Sequence, residues 1–121
     1  MKSLFILSLI FSCSFLKAQN LTCKDFKIGT FRFVDEMFKN TYITRTDASQ
    51  KEVDEKLNQE IEGNIEWKSD CSYELTYTKV PANEMLGKKV FVDITRIDGK
   101  IATCKCTLDG FSVELKMEKI E

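Results

Sequence analysis

The chain holds five cysteines, Cys13, Cys23, Cys71, Cys104 and Cys106, and no histidine. A cysteine nucleophile ordinarily works beside a histidine or with a strongly lowered pKa. Cys–His catalysis, a Ser–His–Asp triad and histidine-ligated metal are therefore excluded. Thiolate zinc sites usually carry Cys–x–x–Cys knuckles, and Cys104–Lys105–Cys106 with two distant cysteines is a poor match. That leaves disulfide chemistry. Cys104 and Cys106 point to the same face of a strand, about 7 Å apart at Cα, just past normal bonding reach. Cys23 precedes the first strand pattern, and Cys71 sits in a turn within "IEWKSDCSYELTYTK". Both are free to meet at one end of a barrel. Cys23–Cys71 is the expected pair, with Cys104 and Cys106 free or weakly paired. Cys23–Cys104 and Cys71–Cys104 compete with it.

A second cluster of chemical interest is Arg45, Gln50 and Glu52 in "RTDASQKE". A two-residue turn at Ala48–Ser49 would set Arg45 opposite Glu52. On a wet hairpin such a pair contributes little, and this is the plainer expectation. Turned inward, the same residues would grip a polar ligand. Trp67, Tyr73 and Tyr77, with Phe31 and Phe33, form either a core or the wall of an apolar pocket. No pair of carboxylates stands out as an acid and a base, and the five glycines build no phosphate cradle. No catalytic residue, cofactor or metal is expected.

The elements that must position these residues read as strands. "SYELTYT" sets Tyr73, Leu75 and Tyr77 on one face, and "FSVELKM" does the same with Phe111, Val113, Leu115 and Met117. In "KVFVDITRI", Val90, Val92 and Ile94 oppose Phe91, Asp93, Thr95 and Ile97. Alternation of this kind buries one face of a strand and wets the other. Asp98–Gly99 and Asp109–Gly110 mark tight hairpin turns. About eight strands follow, near 28–35, 40–47, 50–57, 60–68, 72–79, 88–97, 100–108 and 111–118. Their short connections predict an all-β, antiparallel up-and-down meander, closing into a small lipocalin-like barrel or a strongly curved sheet. Residues 81–86 and 20–27 each have room for a helical turn. "ASQKEVDEKLNQEIE" has a helix-friendly composition but is assigned to a charged, exposed hairpin.

Three stretches, "CKDFKIGTF", "ITRTDASQKEV" and "IEWKSDCSYELTYTK", carry a resemblance. With Cys23, Phe26, Lys27, Gly29, Phe31, Arg45, Thr46, Gln50, Glu52, Trp67, Cys71, Tyr73 and Leu75 in place, the chain resembles a group of small secreted proteins of Bacteroidetes-type bacteria. The match spans most of the chain after the N-terminal segment. Some relatives bear a DNA topoisomerase IV label, which a short exported domain without a nucleotide site does not fit.

The first residues bear on compartment. Lys2, an uncharged run of 13 residues from Leu4 to Leu16, and Lys17–Ala18 have the parts of a secretory signal peptide. The run is too short to span a hydrocarbon core about 30 Å thick. Cleavage is expected after Ala18. The alternative is a lipoprotein anchored through Cys13, which bulky Phe11 disfavours. Residues 19–121 then form one domain. Without Lys2 and Lys17, sixteen basic side chains face nineteen acidic ones, a net of −3, which argues against a nucleic-acid partner. The expectation is an exported, periplasmic or extracellular, non-enzymatic domain. It would bind a small apolar or amphipathic ligand, or an envelope component, through Arg45, Gln50, Glu52, Trp67, Tyr73 and Tyr77. The alternative is a structural or protein-interaction domain with a filled core.

Overall fold

The computed structural model describes residues 20–121. The expected signal segment 1–18 and Cys13 lie outside the described residues. The described residues form eight strands: β1 (Gly29–Phe33), β2 (Thr41–Arg45), β3 (Ser49–Asp54), β4 (Gln59–Ser69), β5 (Ser72–Lys79), β6 (Lys89–Asp98), β7 (Ile101–Leu108) and β8 (Phe111–Lys119). Each pairs antiparallel with its sequence neighbour, and β8 returns to β1, so the sheet is a closed barrel. Closure leaves no edge strand among the described residues to template pairing with another chain. The helix-friendly stretch 48–62 is strand and turn, so the hairpin assignment holds, but it is not exposed throughout: Gln50 and Glu52 turn into the barrel. Three short 3-10 turns, Cys23–Phe26, Glu36–Phe38 and Asn83–Met85, are the helical structure present among the described residues, and none is long and apolar enough to cross a membrane.

Alternation explains the interior. Phe31, Ile43, Ile65, Tyr73, Leu75, Val90, Val92, Ile94, Ala102, Cys104 and Met117 all point inward and form the core with Phe26. One alternation breaks. Ile94 pairs with Cys104 but Arg96 pairs with Thr103, so Thr95 is an extra residue, a β-bulge. Thr95 Oγ1 donates to the Thr103 carbonyl at 3.2 Å. The bulge carries Ile97 from its expected outer position onto the core, opposite Ala102.

The turns divide between the two ends. Asp109–Gly110 are the central residues of the β7–β8 hairpin, both at positive φ (49° and 81°), the type I′ geometry the Asp–Gly signal predicts. In the β6–β7 hairpin the strand runs one residue further than expected: Asp98 pairs with Ile101, and Gly99–Lys100 make the turn.

The end bearing turns 46–48, 70–71 and 99–100 is shut. The 3-10 turn Cys23–Phe26 lies across it, entered through a capping box between Thr22 and Asp25. Phe26 stacks on Phe31 with ring centroids 5.7 Å apart. The Cys23–Cys71 disulfide, with Cα atoms 5.1 Å apart, ties this plug to the β4–β5 turn. Lys27 pairs with Asp70 at 2.9 Å beside it, and Lys119 Nζ donates to the Asp25 carbonyl at 2.6 Å.

The opposite end is open and differently furnished. Its four connections are 34–40, 55–58, 80–88 and 109–110. Each carries an exposed apolar side chain at its tip or flank: Met37, Leu57, Leu86 and Phe111, of which Met37 and Phe111 are 85% and 80% exposed. The three turns of the shut end carry none, and its exposed apolar side chains are Ile28 and Ile120, where β1 begins and β8 ends.

Candidate functional site

Arg45 is the last residue of β2 and points into the barrel, only 2% exposed. Such a charge needs acceptors on all sides. Nη1 donates to the Phe26 carbonyl at 2.6 Å, and Nη2 donates to Tyr73 Oη at 2.6 Å. Nε and Nη2 both donate to Gln50 Oε1, at 3.0 and 2.7 Å. The guanidinium also lies 4.6 Å from the Tyr73 ring centroid and 5.1 Å from that of Phe31, within cation–π range. Gln50 in turn donates from Nε2 to Glu52 Oε1 at 2.8 Å. A charged chain therefore runs from Arg45 through Gln50 to Glu52.

This corrects the plainer expectation for the hairpin. Arg45 pairs with Gln50 and Ile43 with Glu52, so the strands slide two residues from a turn centred on Ala48–Ser49. A slide of two keeps Arg45, Gln50 and Glu52 on one face, and that face is the inside. Arg45 and Gln50 are buried and Glu52 is half-buried. They form no exposed ion pair.

Above this chain the barrel is hollow. A cavity of about 470 Å³ extends from Arg45 to the open end. It is not the filled core of the alternative reading. Ile43, Leu75, Val90 and Val92 form much of its wall, and Phe111 and Val113, both exposed, line its mouth. Lys88 and Asp109 form an ion pair at the mouth. Five of the six expected site residues, Arg45, Gln50, Glu52, Tyr73 and Tyr77, line the cavity.

Trp67 does not. It packs below, at the shut end, with its ring 4.7 Å from Tyr73 and under Lys27 Nζ at 5.2 Å. Its Nε1 is the one buried side-chain nitrogen or oxygen without a hydrogen-bond partner among the described residues. Trp67 thus serves the floor and not the cavity.

Two features place Tyr77. Glu62 pairs with Lys79 but Gly63 with Tyr77, so Thr78 is a bulge beside it, and bulges re-aim neighbouring side chains. A Cβ on Gly63 would meet Leu75 Cδ1 at 2.5 Å and the Thr76 carbonyl at 2.9 Å. Glycine there lets Leu75 fold across β4 next to Tyr77.

Burial dominates the titration of the interior. It raises Glu52 above its ordinary value of 4.5, against the opposing pull of the Gln50 hydrogen bond and the Arg45 charge. It pushes Tyr77 up to about 12, with help from the Glu52 charge. Cys104 rises to about 12 and Cys106 to about 11, again mainly by burial. These thiols are poor nucleophiles. Both face the cavity as free cysteines. Cys106, Leu108, Lys88 and the mouth residues were not singled out from the sequence as site residues. The period-two pattern of β7 does place Cys104 and Cys106 on one face, which is the signal that could have found them.

No group of three or more His, Cys, Asp or Glu converges to hold a metal among the described residues. No family model, curated protein or solved structure matches the chain.

Proposed function

We propose that this is an exported, non-enzymatic carrier or binding module, lipocalin-like in architecture, that takes a small amphipathic ligand into the barrel. The observation that carries the reading is the cavity of about 470 Å³ with Arg45 and Tyr77 in its wall. That volume falls in the range of small-molecule sites, which pair an apolar wall with a few placed polar groups. The apolar rim gives such a ligand a route that avoids water. Export is supported by the N-terminal signal features and by the disulfide, since disulfides persist in oxidising compartments. Kinship with the small secreted Bacteroidetes-type group is part of the same proposal and rests on the quoted residues.

The test is incubation of the mature protein with a lipid extract, followed by native mass spectrometry and by fluorescence titration with N-phenyl-1-naphthylamine. A one-to-one adduct, lost when Leu75→Trp fills the cavity, is the expected result. Failure of both the extract and the dye to bind the folded protein would overturn the reading.

A further inference from the structure

The polar groups of the cavity specify more than amphipathicity. The charged side chains in its wall cancel in two pairs, Arg45 with Glu52 in the depth and Lys88 with Asp109 at the mouth. A buried arginine suggests a carboxylate ligand, but acceptors of the protein itself already take four of the five N–H donors of Arg45. Its donors go to the Phe26 carbonyl, Gln50 and Tyr73, and Gln50 stands between it and Glu52. What faces the hollow is Glu52 itself, with Tyr77 and Cys106 also in the wall; Gly63 pairs with Gln50 on one side and Tyr77 on the other, so Tyr77 lies across a side-chain-free gap from the Gln50–Glu52 face.

Resting on the binding role proposed above, we infer that the ligand is an uncharged amphiphile whose buried end carries a hydroxyl, held between Glu52 and Tyr77. A hydroxyl both donates and accepts, so it matches Glu52 in either protonation state. It donates to the carboxylate or accepts from the carboxylic acid, and Tyr77 supplies the complementary contact. A ligand carboxylate would meet like charge at Glu52 unless a proton were shared. A ligand ammonium would bring a second buried cation close to Arg45 without a second anion. Burying an unbalanced charge is the costlier outcome in either case. The tail of the ligand lies against Leu75, Val90 and Val92 and points to the mouth.

The experiment compares four probes with ten-carbon chains on the wild-type protein by displacement of N-phenyl-1-naphthylamine at pH 7, where the last two are ionised: 1-decanol, decyl methyl ether, decanoate and decylamine. The ether matches the alcohol in charge and tail but lacks the donor. Decanol is expected to bind about tenfold tighter than the ether, the scale of one buried hydrogen bond, and tighter than both ions. In Glu52→Leu the advantage of decanol over the ether is expected to vanish while the dye still binds. Equal affinities for decanol and ether in the wild type, or tighter binding of either ion, would overturn the hydroxyl assignment and leave the binding role standing. If neither the dye nor any probe binds, both fall. The wild-type ranking decides even if Glu52→Leu does not fold.

Discussion

One oxygen of Gln50 accepts two hydrogen bonds from Arg45, at 3.0 and 2.7 Å. This fixes which way the Gln50 amide faces, because only its nitrogen is left for Glu52, which it reaches at 2.8 Å. The orientation of a neutral side chain thus relays a buried positive charge to the floor of the cavity. The same pair joins β2 to β3, and through the Phe26 carbonyl it fastens the N-terminal plug.

Arg45→Met is expected to destabilise the protein by about 3–5 kcal/mol, the usual result of removing one partner from a buried charged network. Tyr73 Oη, Gln50 Oε1 and the Phe26 carbonyl would each lose a donor. Arg45→Lys is expected to rescue little, since an ammonium cannot reproduce the planar fork. Urea unfolding checks this, and a loss below about 1 kcal/mol, the size of an ordinary single hydrogen bond, would contradict it.

Cys71→Ser opens a loop closed between residues 48 positions apart and is expected to lower stability by about 2–4 kcal/mol. In the folded, unreduced protein, iodoacetamide should leave Cys23 and Cys71 untouched. Cys104 and Cys106, raised to about 12 and about 11, should label only slowly until the barrel is unfolded. Full labelling of Cys71 in the folded, unreduced protein would defeat the pairing.

Glu52 predicts a pH dependence of defined sign. Its folded pKa lies above the ordinary 4.5 because burial disfavours the charged form. Its contribution is therefore fully present below 4.5 and is lost as pH rises through the raised folded value. Asp25, Glu60, Glu66 and Asp70 are shifted down and pull the opposite way, so the readout is the difference between wild type and Glu52→Gln. That difference in melting temperature should move against the wild type as pH rises. A flat difference would mean that Glu52 is well solvated.

Gly63→Val should cost about 1–3 kcal/mol by overpacking. The new Cβ would lie 2.5 Å from Leu75 Cδ1 and 2.9 Å from a backbone carbonyl, and only the leucine can move. Thermal unfolding measures the loss, and the displaced Leu75 should reduce dye uptake by the cavity. Unchanged stability and uptake would show that β4 has slack at this point.

Alternation in "SYELTYT" and "FSVELKM" made the strands legible, and short turns made the meander legible, because both are local. The disulfide followed from the positions of Cys23 and Cys71 at strand boundaries. The inward turn of Arg45 was not legible. In β3, Gln50 and Glu52 alternate with Lys51 and Val53, so polarity alone does not say which face is wet. What settles it is non-local: the Phe26 carbonyl and Tyr73, 19 and 28 residues away in sequence. The place of Ile97 was hidden by the Thr95 bulge, and a bulge depends on the pairing between strands more than on the residue that forms it. Trp67 read as a wall residue because strand pattern gives the face but not the height along the barrel axis.

The uneven ends of the barrel have a further consequence. Met37, Leu57, Leu86 and Phe111 stand at one pole, while Asp47, Asp70 and Lys100 stand at the other with Ile28 and Ile120 as its exposed apolar side chains. The molecule therefore carries more exposed apolar surface at the mouth than at the shut pole. At any boundary between water and an apolar phase its free energy depends on attitude, and it is lowest with the mouth turned toward the apolar side. In that posture the axis of the cavity and the normal to the boundary are the same line.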